Sequence, residues 1–212
     1  MPNTLVKICG VSTPESLNAC IAAHADWCGL NFYAPSPRSV SDAEAARLAD
    51  VAGSAIRKAG VFVDADDKLL GDAVAAGRLD AIQLHGDETP QRAAEVRARF
   101  GLPVWKVLSV ASEEDIQRAD RFAHTADFIL FDAKTPKGTL PGGMGLVFDW
   151  SLLRGYRGGL PWGLAGGLTP TNVAEAIRLT GALLVDTASG VESAPGLKDV
   201  DKIAAFCKAA RL

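Results

Sequence analysis

Cys9, Asn31, Asp64, His85, Ser109, Asp132 and Asp186 each close a short apolar stretch, and Gly166-Gly167 follow an eighth. A thiol, an imidazole and carboxyl groups are the side chains that exchange protons near neutral pH once their surroundings tune them. Asp132 ends the run Phe128-Ile129-Leu130-Phe131, where desolvation disfavours the charged carboxylate and suits a general acid. A carboxylate capping the following loop is the simpler alternative. Cys9 stands between Lys7-Ile8 and Gly10. A buried cysteine is usually a small apolar filler, but at a strand end with Lys7 on the same strand face a thiolate is stabilised as base or nucleophile. His85 suits acid-base or ligand chemistry, or simply a hydrogen-bonding role. His24 and His124 fall in a helix and a loop, so no histidine cluster points to a metal.

The segments Ala165-Gly166-Gly167-Leu168-Thr169-Pro170 and Thr187-Ala188-Ser189-Gly190-Val191-Glu192 follow two adjacent stretches. Glycines let backbone amides approach an anion, and a helix start adds favourable partial charge, so the pair of loops reads as a phosphate site rather than as two tight turns. Arg38, in the proline-stiffened Ala34-Pro35-Ser36-Pro37-Arg38-Ser39, reaches toward a carboxylate or stays solvated.

These residues need a scaffold that gathers strand ends. The apolar stretches predict strands at Leu5–Cys9, Trp27–Phe32, Lys58–Val63, Ala81–His85, Val104–Leu108, Phe128–Asp132, Trp162–Ala165 and Leu183–Asp186. Segments of helical period separate them, for example Leu17, Cys20, Ile21 and His24, or Ile203, Phe206, Cys207 and Ala210. Ser12 with Glu15 and Ser41 with Glu44 fit capping boxes, and Pro14, Pro90 and Pro170 fit first helical turns. The helix around Trp150 to Leu153 is weakly signalled. Ala25-Asp26, Leu79-Asp80, Ala126-Asp127 and Gly181-Ala182 precede every second strand at intervals of roughly 50 residues. Eight strand-helix units of about 26 residues predict a single (β/α)8 TIM barrel with parallel strands over residues 1–212, whose site lies at the carboxyl ends of the strands. A doubly wound sheet is the alternative, but no GxGxxG follows the first strand and no GxxxxGK[ST] occurs.

Composition narrows the partners. With 48% apolar and 22% charged residues, the 212-residue chain has the make-up of a folded globular protein. Its longest apolar runs, Ala19–Ala23 and Ile203–Cys207, are far short of the ~20 residues of a membrane span. Twenty-five acidic against 22 basic residues, a formal charge of −3, give no basic stripe for nucleic acid. No secretory signal precedes Lys7, and Cys9, Cys20, Cys28 and Cys207 form no CxxC pair, which together predict reduced thiols and a cytoplasmic location. Cys20, Cys28 and Cys207 read as inert, and no long apolar stripe demands a dimer.

Taken together and in order, the motifs resemble the phosphoribosylanthranilate isomerase family. The resemblance rests on Val6-Lys7-Ile8-Cys9-Gly10, Phe32-Tyr33 with Ser36-Pro37-Arg38, Gly60-Val61-Phe62-Val63, Gln83-Leu84-His85-Gly86, Phe131-Asp132, Gly142-Gly143, Phe148-Asp149-Trp150, Ala165-Gly166-Gly167-Leu168 and Ser189-Gly190-Val191-Glu192. It implies a cofactor-free Amadori rearrangement of N-(5-phosphoribosyl)anthranilate, a step of tryptophan biosynthesis, with Asp132 as general acid and Cys9 as general base. It further implies that Gly166, Gly167, Ser189 and Gly190 bind phosphate, that Arg38 binds the anthranilate carboxylate, and that Gln83, His85 and Asp186 line the mouth. Met144 and Ala188 stand where relatives often carry Ser or Thr, and Ser or Asn, which leaves phosphate binding to backbone amides. A ribulose-phosphate epimerase-like barrel would want more strand-end histidines around a metal. A non-catalytic metabolite sensor would not need both Cys9 and Asp132.

Overall fold

Eight parallel strands close into one barrel in sequence order: β1 (Leu5–Cys9), β2 (Trp27–Asn31), β3 (Arg57–Phe62), β4 (Ala81–Leu84), β5 (Val104–Val110), β6 (Phe128–Ala133), β7 (Trp162–Leu164) and β8 (Leu184–Thr187). The structure, a computed structural model, describes residues 4–133, 148–154 and 156–212. The Gly142-Gly143 motif and Met144 lie outside the described residues. Closure comes from β1 pairing with β8, from Leu5 opposite Leu184 to Ile8 opposite Thr187. This is the (β/α)8 barrel expected from the alternation, and it excludes the open doubly wound sheet.

The connecting helices are α1 (Pro14–Ala22), α2 (Asp42–Ala52), α3 (Asp67–Gly77), α4 (Pro90–Phe100), α5 (Glu113–Gln117), α6 (Val173–Thr180) and α7 (Val200–Ala209). The weakly signalled segment before β7 is a short 3₁₀ helix, Trp150–Leu153. The Ser41–Glu44 capping box forms. The one expected at Ser12–Glu15 is instead Thr13–Ser16, because Pro14 occupies the first helical position and the residue just before it must cap. Pro170 does not open α6, which starts three residues later. Asn172 spends its side chain on the preceding loop, accepting from the Thr169 N–H at 2.8 Å and donating to the Gly167 carbonyl at 3.0 Å. A short antiparallel hairpin, β9 (Glu192–Ala194) and β10 (Leu197–Lys198), was not anticipated. Its strands are too short to carry an alternation.

The faint repeat has a physical basis. The Asp26, Asp80 and Asp127 carboxylates accept from the backbone N–H groups of Val6, Lys58 and Val104 at 2.8, 2.7 and 2.8 Å. Each aspartate's own N–H donates back to the carbonyl of the same residue. Every second strand is thereby tied at its start to the strand before it. The fourth repeat has no carboxylate, and there the Leu5 N–H bonds the Leu183 carbonyl at 2.9 Å.

Outward-facing Val6, Ile8, Leu30, Phe62, Ile82, Leu84, Ile129, Phe131 and Val185 pack on buried helix residues such as Leu17, Leu48, Leu70, Val96, Val173 and Phe206. Each such side chain contributes ~1.5–3 kcal/mol on burial. Inside the barrel, strand alternation grades from aromatic to polar. Trp27, Gly29 and Asn31 on β2 run in that order, as do Trp105, Val107 and Ser109 on β5, and Phe128, Leu130 and Asp132 on β6. Trp27 meets Trp105 edge-on at 4.6 Å between ring centres, Trp105 meets Phe128 at 5.1 Å, and the Arg57 guanidinium lies 4.3 Å over Trp27. An aromatic plug thus fills the amino end and leaves the polar groups at the carboxyl end.

Asp26→Ala orphans the amide of buried Val6. Urea unfolding is expected to show a loss of ~1–3 kcal/mol with the turnover number of the folded enzyme unchanged, since Asp26 lies at the end remote from the polar rim.

Candidate active site

The seam between β1 and β8 carries a buried ion pair. Lys7 Nζ donates to both oxygens of Asp186 at 3.0 and 3.1 Å, and also faces the Cys9 thiol. Burial alone favours the neutral amine, but Asp186 and Cys9 outweigh it and hold the Lys7 pKa above its ordinary value. Gly29 on the neighbouring strand makes room, since a Cβ there would stand 2.9 Å from Cys9 Sγ and 3.1 Å from Lys7 Nζ. The thiol is not the stabilised thiolate expected from the Lys-Ile-Cys spacing. Burial pushes the Cys9 thiol up, Lys7 pulls it down by less, and Asp186 adds to the rise.

Across the barrel, β4 and β6 present His85 and Asp132. Asp132 is buried, Oδ1 accepts from the Ala133 N–H at 2.8 Å, and Oδ2 lies 3.4 Å from His85 Nε2. Gly166 packs directly on this carboxylate: its φ is +85°, and a Cβ would come within 2.9 Å of Asp132 Oδ1. Only glycine suits both the left-handed backbone and the space.

Arg38 is neither solvated nor loose. Its Nε and Nη2 fork onto Glu192 Oε1 and Oε2 at 2.7 and 2.8 Å, and Lys198 Nζ shares Oε1 at 2.8 Å. Burial would raise the Glu192 carboxyl, but Arg38 and Lys198 outweigh it and hold it below the usual range. Gly10, at φ +72°, leaves space for the arginine stem, because a Cβ there would lie 2.5 Å from Arg38 Cδ. The unanticipated hairpin therefore matters: it delivers Glu192 and Lys198 to the arginine. The loops after β7 and β8 are also joined, the Thr187 hydroxyl donating to the Leu168 carbonyl at 2.7 Å.

One cavity gathers Cys9, Arg38, His85, Asp132, Gly166, Gly167, Asp186 and Ser189. Gly190 is in the adjoining 3₁₀ turn, where its bare α-carbon lets the backbone pass close to the Leu168 carbonyl. Gln83 does not line the cavity. It lies two residues before His85 on β4, buried one step deeper in the barrel, and its amide has no partner among the described residues. Asn31, Tyr33, Ser36 and Thr187 line the cavity without having been singled out as binding residues. Asn31 was legible as a strand end, while Tyr33 and Ser36 are brought in by the turn that follows it. Among the described residues, no three or more His, Cys, Asp and Glu are grouped to hold a metal ion. No helix there is long and apolar enough to cross a membrane.

Fold and rim together define a (β/α)8 barrel with titratable groups from separate strand ends around one mouth, the arrangement of the barrel enzymes. The family model of N-(5'-phosphoribosyl)anthranilate (PRA) isomerase matches residues 6–209. The chain is 54% identical over 207 residues to the N-(5'-phosphoribosyl)anthranilate isomerase of Paramagnetospirillum magneticum, covering 97% of this chain and 96% of the relative. It is 51% identical to that of Parvibaculum lavamentivorans, covering 97% of each. The phosphoribosyl anthranilate isomerase structure from Thermotoga maritima superposes with a TM-score of 0.88 at 36% identity and 98% coverage of both chains. A phosphoribosyl anthranilate isomerase solved with reduced 1-(o-carboxyphenylamino)-1-deoxyribulose 5-phosphate superposes at 0.85 with 34% identity and 98% coverage of both. The chain belongs to the phosphoribosylanthranilate isomerase family and is an isomerase of tryptophan biosynthesis.

Cys9 is partly exposed, whereas Cys20, Cys28 and Cys207 are buried, and burial pushes the Cys28 thiol up to about 12 and that of Cys207 up to about 11. Iodoacetamide is therefore expected to label Cys9 first, slowly at pH 7 and faster by roughly tenfold per pH unit above it, following the thiolate fraction. Lys7→Met with Asp186→Asn is expected to slow labelling at every pH, because Lys7 has the larger effect on the thiol. A labelling rate flat between pH 7 and 9, read by mass spectrometry, contradicts the raised thiol.

Proposed function

We propose that the rearrangement of N-(5-phosphoribosyl)anthranilate to 1-(2-carboxyphenylamino)-1-deoxyribulose 5-phosphate proceeds by proton transfers at Asp132 and Cys9. The observation that carries this reading is that both line one cavity while standing on strands from different arcs of the barrel. Asp132, in its protonated form, gives its proton to the furanose ring oxygen. The C1–O bond breaks, and the nitrogen lone pair completes a C1=N iminium. In the fraction of the enzyme that carries Cys9 as thiolate and Asp132 as acid, Cys9 then takes the proton from C2, and the electron pair of that C–H bond forms C1=C2 and neutralises the iminium. The enolamine becomes the aminoketone as its hydroxyl loses a proton and C1 gains one.

The order of events suits a thiol of raised pKa. Ring opening creates a cation beside Cys9, which favours the thiolate at the moment it is needed and acidifies the C2 hydrogen. Lys7 supports the same charge from beneath. His85, close to Asp132 Oδ2, orients the carboxyl group.

Arg38 recognises the anthranilate carboxylate. Its fork onto Glu192 fixes the guanidinium plane at the rim, the kind of preorganisation that planar carboxylate recognition exploits. The phosphate lies between the loops after β7 and β8, against Gly166, Gly167, Ser189 and Gly190. Ala188 supplies no hydroxyl or amide there, so backbone N–H groups do the binding. Asp186 belongs to the floor, and Gln83 supports the strand end from below. The reaction as written needs no metal and no cofactor. Four unpaired thiols accord with a reducing, cytoplasmic setting.

The fluorescence of the anthranilate substrate gives the assay. Cys9→Ala and Asp132→Asn are each expected to lower kcat by about 10² or more, the usual contribution of a proton-transfer group. A rate within a few-fold of the parent for either variant refutes the assignment. Arg38→Lys is expected to raise KM more than it lowers kcat, since it removes the fork while leaving the charge.

A further inference from the structure

A further buried ion pair lies behind the site. Lys106 on β5 points away from the barrel interior, in alternation with Trp105 and Val107, and does not line the cavity. Its Nζ lies 2.7 Å from Glu88 Oε2, and both side chains are about 3% exposed. The remaining donors of Lys106 go to the carbonyls of Gly86 at 2.6 Å and Leu84 at 3.4 Å. Glu88 in turn accepts from the Gly86 N–H at 2.9 Å and from the Asp64 N–H at 2.9 Å.

These bonds converge on one residue. His85 lies between the Leu84 carbonyl and the Gly86 N–H, both held by the pair, and its own N–H donates to the Phe62 carbonyl at 2.7 Å. Three of the four polar groups on the two peptide units flanking His85 are thereby fixed. Rotation about either backbone bond of His85, which would swing the ring away from Asp132, breaks at least one of them. Replacing a buried ion pair by apolar residues of similar volume is commonly neutral or stabilising, so stability alone does not account for this one.

We propose that Lys106 and Glu88 are positioning residues that set His85 and, through its 3.4 Å approach, the carboxyl group of Asp132. The catalytic part of this inference rests on Asp132 being the acid; the positional part does not.

The test is the paired replacement Lys106→Met with Glu88→Leu, which removes both charges together. The folded variant is expected to lose about tenfold to a hundredfold in kcat, as a misplaced reacting group does, with KM changed less than about threefold. In a His85→Asn background the same pair of changes is expected to cost less than about twofold, because the positioned group is already absent. The NMR signals of the His85 ring, told apart from those of His24 and His124 by the His85→Asn spectrum, are expected to shift while the other two stay. Should the paired variant fail to fold, Glu88→Gln alone is expected to move the same ring signals. Equal losses in both backgrounds, or unmoved His85 signals, overturn the proposal. If Asp132→Asn stays active while the His85 signals still move, it is the acid assignment that fails.

Discussion

The Lys7–Asp186 ion pair stitches the first strand to the last, and the rest of the site is arranged around it. Charges buried in a barrel interior are costly unless each meets a partner in good geometry, and here both carboxylate oxygens meet the ammonium. The pair therefore forms only when β1 and β8 close in register. Closure of the fold and charge placement beneath Cys9 are one event. That coupling sets a small thiol on β1 apart from the three buried cysteines: it lies beside the Lys7 ammonium and, unlike them, at the edge of the cavity.

A second constraint decides which end of the barrel carries chemistry. The inward residues of β2, β5 and β6 pass from aromatic to small or apolar to polar along the chain direction. Because the eight barrel strands are parallel, the same order on each of these three stacks the aromatic groups at one end and the polar groups at the other. Gly166 and the joined loops after β7 and β8 complete the polar end, holding the backbone against Asp132 on one side and toward Ser189 on the other.

Much of this was legible in the residues. Strand periodicity put Cys9, His85, Asp132 and Asp186 at strand ends, and parallel closure gathered them without knowledge of any contact. The aspartates at Asp26, Asp80 and Asp127 appeared as a repeat because each makes the same bond to the preceding strand. Other features depend on distances that no local pattern encodes. The fork between Arg38 and Glu192 joins residues 154 positions apart through a hairpin of a few residues. The state of the Cys9 thiol turns on whether burial or Lys7 has the larger effect, which spacing along one strand does not reveal. The family resemblance implies a mouth-lining place for Gln83, but it stands two residues before His85 on the strand, and that depth puts it out of the cavity.

Proton transfer by Cys9 and Asp132 requires the sugar to lie between them. A crystal structure of this protein with reduced 1-(o-carboxyphenylamino)-1-deoxyribulose 5-phosphate measures that directly. C2 of the sugar chain should lie within about 4 Å of Cys9 Sγ, with Asp132 on the opposite face and the phosphate between the loops after β7 and β8. A ligand lying with C2 turned away from Cys9, or with its phosphate on Arg38, would contradict it.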